Sequence, residues 1–294
     1  MQLLDIDINM HSRSDFINIY PLGDMHFGAY NCAERKVKEH VQRIKDDSSA
    51  FWFGGGDIFD AIIFQDAKRF DPDNLPDWML RGAPMRIRSK IKDIVKAQLE
   101  YGFEILNPIK NKCIGFLLGN HEYTITHYHN RDIMKEICDE FKAPNLTDHA
   151  FIRFNCKRSY NGGENCSVIR AYVCHGNGGG RSPGAEPTHL TRIAQERDCE
   201  LILRGHSHNF HIMPAIPRLT IPKRGRMPEH ATTHDVRAAN WGSWLLSYAV
   251  GPSTYDSRAN YPVRVLSTLC ATVKPFKEKN DLVRPEITIN EIVL

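Results

Sequence analysis

The sequence has no apolar run that approaches the ~20 residues of a membrane-spanning helix. Its opening stretch, MQLLDIDINMHSRSDF, lacks the basic and apolar regions of a secretory signal. It also has no internal repeat and no low-complexity segment. We therefore expect a cytoplasmic globular protein with no membrane partner and no obligate protein partner. Its 294 residues are enough for a single domain that spans residues 1–294.

The eight cysteines include no C-x-x-C pair, so we expect buried or unreactive thiols in a reducing compartment. A disulfide between Cys156 and Cys166 is the alternative. Neither sign of charge dominates, because the formal net charge is +3 and the pI is about 8.4. This balance permits a surface that binds phosphate groups, but it does not demand a protein coated for nucleic acid.

What the sequence does contain is five apolar runs that each stop at polar, chemically active residues. A short apolar run of this kind is typical of a buried strand. Segments with apolar residues at helical spacing lie between the runs, for example Val37, Val41 and Ile44. Alternating strands and helices predict an α/β fold, in which ligands bind at the carboxyl ends of the strands. The polar residues at the ends of the runs are Asp24, His26, Asp57, Asp60, Asn120, His121, Glu122, His175, His206 and His208.

The residue types at these strand ends favour metal binding. Imidazole nitrogens, carboxylate oxygens and amide oxygens suit Mn, Fe, Zn and similar divalent ions. The set is large enough for two ions that share a carboxylate, and such a pair clamps the attacking and leaving oxygens of a phosphoryl displacement. Each motif alone also has an ordinary interpretation as a capped turn or a loop histidine. The ordered set favours the metal site over those interpretations.

The five motifs read GDMH, GDIFD, GNHE, CHG and GHSH. In this order they resemble the signature of the calcineurin-like metallophosphoesterase superfamily, over roughly residues 17–210. The resemblance implies an α/β fold that is a four-layer α-β-β-α sandwich, with two mixed sheets, flanking helices and the metals at one rim. It also implies an enzyme, a two-metal-dependent phosphoester hydrolase.

The resemblance further implies a role for each motif residue. A hydroxide that bridges the metals would be the nucleophile, and His121 would stabilise or protonate the departing oxygen. Asp57 would bridge the two metals, for which we expect Mn²⁺, with Fe, Zn or Ni as alternatives. The implied ligands are Asp24, His26, Asp57 and His208 for one metal, and Asp57, Asn120, His175 and His206 for the other.

Two acidic residues of the motifs, Glu122 and Asp60, are not among the implied metal ligands. Glu122 either orients His121 or nearby backbone, or forms a salt bridge at the rim. Asp60 is expected to cap a following helix rather than to bind a metal.

Segments outside the motifs bear on the substrate. An inserted segment at about 64–105 contains a basic helix that is either a solvated face or a track for phosphate groups. A C-terminal segment at about 211–294 combines a basic hairpin with aromatic residues, which either stack on bases or pack in a sheet. The basic residues are Arg81, Arg86, Arg88, Lys90, Lys92, Lys96, Lys223, Arg224 and Arg226. The candidate substrate contacts are His127, His129, Arg131, Arg181, Trp241 and Trp244.

These segments favour a phosphodiesterase that acts on nucleic acid or nucleotides, with single-stranded nucleic acid among the expected partners. A phosphomonoesterase, including a protein phosphatase, is the alternative because the same metal pair serves both reactions. A non-catalytic binding protein is the minor alternative, which intact motifs oppose.

Overall fold

The computed structural model describes residues 1–66, 69–80, 93–160, 163–178, 182, 184–220, 232–254, 257, 262–276 and 285–294. Several features predicted above fall outside these ranges, so the basic helix and the basic hairpin tip keep their two interpretations. The predicted residues that lie outside the described ones are Arg81, Arg86, Arg88, Lys90, Lys92, Arg181, Lys223, Arg224 and Arg226.

The described strands form two mixed sheets. In chain order the strands are β1 (Gln2–Asn9), β2 (Ile17–Leu22), β3 (Ala50–Gly54), β4 (Cys113–Leu117), β5 (Asn145–Thr147), β6 (His149–Tyr160), β7 (Gly163–Cys174), β8 (Leu201–Arg204), β9 (Phe210–Ile212), β10 (Ile216–Thr220), β11 (Thr232–Trp241), β12 (Ser267–Lys274) and β13 (Glu286–Val293). A six-stranded sheet has the order β13-β12-β2-β3-β4-β5, and its strands β2 to β5 run parallel. A seven-stranded sheet has the order β1-β6-β7-β8-β11-β10, with β9 also paired to β11.

Helices cover the outer faces of both sheets. They are α1 (Glu34–Asp46), α2 (Asp77–Leu80), α3 (Ile94–Leu106), α4 (Asn120–His129), α5 (Ile133–Phe141) and α6 (Ala185–Glu196), with 3₁₀ turns at Pro72–Asn74 and Asn107–Lys112. The predicted helical stripe of Val37, Val41 and Ile44 is buried on α1, as the spacing indicates. Helix α3 begins after Asp93, whose side chain accepts a hydrogen bond from the backbone N–H of Lys96 at 2.9 Å.

The alternation of side chains along β2 explains the layering. Ile17 and Ile19 point into the cluster between the two sheets, where they meet residues such as Ile152 and Phe154. Leu22 belongs instead to the cluster under the helices of the six-stranded sheet. A third cluster lies between α6 and the seven-stranded sheet. The predicted four-layer α-β-β-α sandwich is confirmed, and each large apolar side chain buried in it contributes about 1.5–3 kcal/mol.

Strand β13 lies at one edge of the six-stranded sheet. Two further expectations have outcomes in the fold. All eight cysteines are free thiols, so the alternative disulfide between Cys156 and Cys166 is absent. No helix in the described part of the chain has both the length and the apolar character that a membrane crossing requires.

Candidate metal centre

Five strand ends bring the motif residues to one rim of the sandwich. Strands β2, β3 and β4 are parallel neighbours in one sheet, and β7 and β8 are parallel neighbours in the other. Their carboxyl ends therefore open on the same side, as parallel strands require. The predicted residues that meet there are Asp24, His26, Asp57, Asn120, His121, His175, His206 and His208.

One group of candidate ligands surrounds Asp24. The nearest ligand atoms of Asp24, His26 and His208 lie within 4.8 Å of one another. His208 Nε2 is 3.3 Å from Asp24 Oδ1 and 3.2 Å from His26 Nε2. Two imidazole nitrogens at that separation need a proton or a cation between their lone pairs. A divalent cation therefore fits this group.

A second group surrounds Asp57. His175 Nε2 lies 3.3 Å from Asp57 Oδ2, 3.2 Å from His206 Nδ1 and 3.4 Å from Asn120 Oδ1. Asp57, His175 and His206 form one candidate ligand set, and Asp57, His26 and His121 form another. Asp57 is thus shared between sets, which is the arrangement that a bridging carboxylate needs.

The buried polar atoms of the rim also fit metal ions. Among the described residues, Asp24 Oδ1 is buried without a hydrogen-bond partner. A buried polar atom is costly unless it is satisfied, by about 1–3 kcal/mol. His175 Nδ1–H donates to the carbonyl of Gly55 at 2.8 Å, which leaves its Nε2 as the ligand nitrogen. Ligating histidines are commonly oriented by a hydrogen bond of this kind.

Strained backbone marks the same residues. Asp24, His26, Asp57, His206 and His208 all adopt the left-handed region, with φ between 49° and 71°. Non-glycine residues seldom adopt this region, and it costs of order 1–3 kcal/mol each. Such strain persists only where the surroundings enforce it, and these five are half of the ten described non-glycine residues with positive φ.

Glu122 holds the loop that carries Asp57. Its buried carboxylate accepts hydrogen bonds from the backbone N–H groups of Asp57, Ile58 and Phe59, at 3.0, 2.8 and 3.2 Å. A Cβ on Gly119 would lie 2.1 Å from the Asp57 nitrogen, which explains the glycine of GNHE. Glu122 therefore orients backbone, and the alternative of a rim salt bridge is wrong.

The prediction that Trp241 and Trp244 stack on bases is wrong. Each is 1% exposed and belongs to the core, because both indoles pack between layers of the fold. Trp241 acts instead behind the rim, where its Nε1–H donates to Asp24 Oδ2 at 2.7 Å. Cβ atoms added to Gly23, Gly55 or Gly205 would come within 2.7 Å of this indole. Glycines in or directly before three motifs therefore make room for Trp241.

Asp60 lies beside His121 rather than at a helix N-terminus, so the capping prediction is wrong. No described helix begins directly after it. Its Oδ1 is 3.8 Å from His26 Nδ1 and 3.9 Å from His121 Nδ1. His121 Nδ1–H donates to the backbone carbonyl of Asp60. The His121 nitrogen left for chemistry is therefore Nε2.

Charge in the rim is strongly coupled. Burial raises the pKa of the Asp57 carboxyl, but His175 and His121 reverse this effect and hold it well below its usual range. Burial lowers the pKa of His175, but Asp57 more than compensates and raises it to about 10. Burial raises the pKa of Asp60 to about 6. The buried negative charge of Asp57 therefore attracts positive charge into the rim.

A cavity of about 300 Å³ opens over the rim. The candidate residues His26, Asp57, Asn120, His206 and His208 line it together with His121. The rest of its wall could not be recognised from the sequence, because it comes from several separate loops and carries no motif of its own. The polar and aromatic wall residues that were not predicted are Tyr30, Asn31, Arg69, Phe70, Asp71, Asn74, Ser207, Asn209, Thr254 and Arg264.

The predicted phosphate contacts on the segment HYHNRD do not face this cavity. His127 stacks on Tyr123 at the surface, and neither His129 nor Arg131 lines the cavity. Arg131 donates to both carboxylate oxygens of Asp93, at 2.8 and 2.7 Å, and also to Glu136. These three residues therefore lie outside the cavity wall: His127 and His129 are in the last turn of α4, and the carboxylates of Asp93 and Glu136 hold Arg131 before α5.

Comparisons with known proteins add a likeness of fold. No family model matches the chain, and no curated protein matches it. Among solved structures it is similar to Vps29 of Chaetomium thermophilum, with 10% identity, a TM-score of 0.38 and coverage of 94% of this chain and 95% of that one. It is also similar to a conserved uncharacterized protein of Streptococcus pneumoniae, a predicted phosphoesterase, with 12% identity, a TM-score of 0.31 and coverage of 95% and 99%.

A third similar structure is the NAD nucleotidase of Haemophilus influenzae, with 12% identity and a TM-score of 0.37. The match covers 95% of this chain and 50% of that one. Likenesses this low carry no argument about the site. The chain resembles the calcineurin-like metallophosphoesterases in the order of its five motifs and in the layers of its fold. Its own rim residues carry the functional argument.

Proposed function

We propose that this chain is a calcineurin-like metallophosphoesterase, a hydrolase of phosphoesters that depends on two divalent metals. The observation that carries the proposal is the convergence of two acid–histidine groups at one rim. His208 Nε2 lies 3.3 Å from Asp24 Oδ1 in one group, and His175 Nε2 lies 3.3 Å from Asp57 Oδ2 in the other. Members of both groups, among them Asp57 and His208, line the same cavity. Five of the converging residues also adopt the left-handed region, a strain that clusters at active sites and ligand clamps.

The proposed ligands are those that the resemblance implies. When bound, two divalent cations, Mn²⁺ by expectation, supply Lewis acidity to the phosphoryl group and activate water. The same donor set accepts Fe, Zn or Ni, because imidazole and carboxylate ligands suit each of them. The ligands are Asp24, His26, Asp57 and His208 for one cation, and Asp57, Asn120, His175 and His206 for the other.

Residues of the chain itself provide the remaining chemistry. We assign to His121 the protonation of the departing ester oxygen, since its Nδ1–H is held by the Asp60 carbonyl. Asp60 orients this imidazole. Burial lowers the pKa of His121, but the charges of Asp57 and then Asp60 outweigh it and raise the pKa.

We assign contacts with non-bridging phosphate oxygens to Arg69 and Arg264, because both line the cavity and Arg131 does not. Arg69 also donates to Asp66 through Nε at 2.5 Å, which fixes its guanidinium at the wall.

The proposed substrate class is a phosphodiester of nucleotides or single-stranded nucleic acid. The cavity continues beyond the rim along Tyr30, Phe70 and Pro262, which supports a substrate with an organic group on each side of phosphorus. Tyr30 and Phe70 now take the stacking role that the sequence analysis gave to the buried tryptophans.

A pair of aryl phosphates tests the substrate class. With Mn²⁺ added, the protein should hydrolyse bis(p-nitrophenyl) phosphate faster than p-nitrophenyl phosphate. The opposite preference would favour a phosphomonoesterase and overturn the diester proposal. Hydrolysis of neither compound would favour the non-catalytic alternative.

Competition with nucleic acid tests the partner. Short single-stranded DNA or RNA should inhibit hydrolysis of the aryl diester at low salt and do so less at high salt, because phosphate contacts release counterions. A nucleoside monophosphate serves as the control for a single phosphate group. If neither oligonucleotide inhibits at low salt, nucleic acid is not the substrate.

A further inference from the structure

A buried ion pair lies behind the histidines of the seven-stranded sheet. Arg204, at the end of β8, and Glu186, in the first turn of α6, are each 3% exposed. Arg204 Nη1 donates to Glu186 Oε2 at 2.8 Å. A buried pair of charges gains little net stability, because both ions lose their hydration. Its location therefore needs a reason other than stability.

The arginine supports the loop that carries His175. Arg204 Nη2 donates to the carbonyls of Asn177 and Gly178, both at 3.1 Å. Gly176 between them and His175 has a φ of +90°, and a Cβ there would lie 2.8 Å from Arg204 Nε. The guanidinium thus fills the space beneath this loop and fixes its path.

The glutamate also supports the loop that carries the other two histidines. Its Oε2 accepts a second hydrogen bond, from Asn240 Nδ2 at 2.8 Å. The same Asn240 Nδ2 donates to Ser207 Oγ at 2.9 Å. Ser207 stands between His206 and His208 in the chain. One carboxylate oxygen therefore connects both histidine loops.

We propose that Glu186 is a positioning residue of the candidate metal centre and acts through Arg204 and Asn240. The loop with His175 follows β7, and the loop with His206 and His208 follows β8. The separation of these two loops therefore sets the distance between the His175 imidazole and the other two. Glu186 is not a lining residue of the cavity, so its effect is indirect. The network stands on the structure alone, whereas its role toward metal rests on the proposed function.

Glu186→Gln is the first test, since it keeps the shape of the side chain and removes its charge. In the metal-free protein, backbone hydrogen exchange should lose protection in peptides that contain Asn177 or Ser207. Affinity for Mn²⁺, measured by titration calorimetry, should fall about 10–100-fold, as is usual when the support of a ligand is removed. Leu190→Ala is the matched control, because it truncates a fully buried side chain on the same helix outside the network. This control should lower Tm but keep both the loop protection and the Mn²⁺ affinity.

A double variant, Glu186→Leu with Arg204→Met, separates positioning from stability. It removes both charges, so Tm should recover above that of Glu186→Gln, which leaves one charge unpaired. Mn²⁺ affinity should stay low, because no side chain connects the two loops. Recovery of affinity together with Tm would overturn the proposal, as would full loop protection in Glu186→Gln. A wild-type protein that binds no Mn²⁺ would refute the proposed function, while the exchange result would still decide the positioning role.

Discussion

The two sheets contribute different chemistry to the same rim. The six-stranded sheet supplies both aspartates, and a buried acid, Glu122, holds the Asp57 loop through backbone N–H groups. The described loops of the seven-stranded sheet supply histidines, and their buried acid, Glu186, is neutralised by an arginine. One side therefore provides the negative charge that attracts cations, and the other provides imidazoles that complete the geometry. Substitutions in the six-stranded sheet should therefore abolish metal binding, whereas substitutions in the seven-stranded sheet should only lower the affinity for metal.

The largest expected effect is that of Asp57→Asn. Losing the shared charge should reduce turnover by roughly 10³-fold or more. It should also reduce the metal content of the purified protein. Assays of aryl phosphate hydrolysis and elemental analysis check this. Asp7→Asn is the control, since Asp7 is an exposed carboxylate that pairs with Lys157 on the far strands. Wild-type turnover in Asp57→Asn would exclude the two-metal mechanism.

His121→Ala should separate catalysis from metal binding. Because His121 is assigned to protonate the leaving group and not to hold a metal, kcat should fall about 10²–10⁴-fold. The metal content should remain that of the wild type. Substrates with a good leaving group, such as p-nitrophenolate, should suffer less than alkyl esters. A variant that loses its metals instead would make His121 a ligand.

Trp241→Phe should lower the affinity for Mn²⁺ moderately, because Trp241 holds the carboxylate of Asp24. The variant keeps an aromatic ring in the core but loses the hydrogen bond to Asp24 Oδ2. Mn²⁺ affinity should fall about tenfold, near the lower limit for residues that orient a ligand. Trp52→Phe is the control, because it loses a buried hydrogen bond to the Ile109 carbonyl away from the rim. Equal affinity losses in both variants would contradict a specific role for Trp241.

The smallest expected effect is on the pH dependence of stability, and it concerns His40. The pKa of His40 is lowered, whereas that of His175 is raised. Burial, with a smaller effect from Arg43, lowers the pKa of His40 to about 3 from its ordinary 6.5. Below pH 6.5 the unfolded chain takes up a proton that the folded protein does not, so the free energy of unfolding decreases toward acid pH. This cost is about 1.4 kcal/mol per pH unit, or about 2 kcal/mol between pH 6.5 and 5.

His40→Phe removes that cost. The buried ring nitrogens of His40 have no hydrogen-bond partner among the described residues, so the variant should be at least as stable as wild type at pH 7. Its stability should then decrease less between pH 6.5 and 5, as measured by urea unfolding at several pH values. Parallel pH profiles for the two proteins would show that His40 is not buried in its neutral form.

Local pattern predicted the strands, the helices and the convergence of the motifs. The apolar run before Asn120 and the helical spacing of Val37, Val41 and Ile44 are examples, because each pattern spans only a few neighbouring residues. The functions of Trp241 and Arg131 could not be predicted in the same way. A tryptophan near the motifs can stack on a base or pack in the core. For Trp241 the core position depends on Gly23 and Gly55, which lie more than 180 residues earlier in the chain. Arg131 fits a phosphate as well as it fits Asp93, which lies 38 residues earlier.

The central claim is most directly tested by counting metals. Purified protein, incubated with excess Mn²⁺ and passed through a desalting column, should retain close to two ions per chain by elemental analysis. Asp57→Asn treated in parallel should retain fewer than one. Wild-type protein that retains no divalent ion under these conditions would contradict the account.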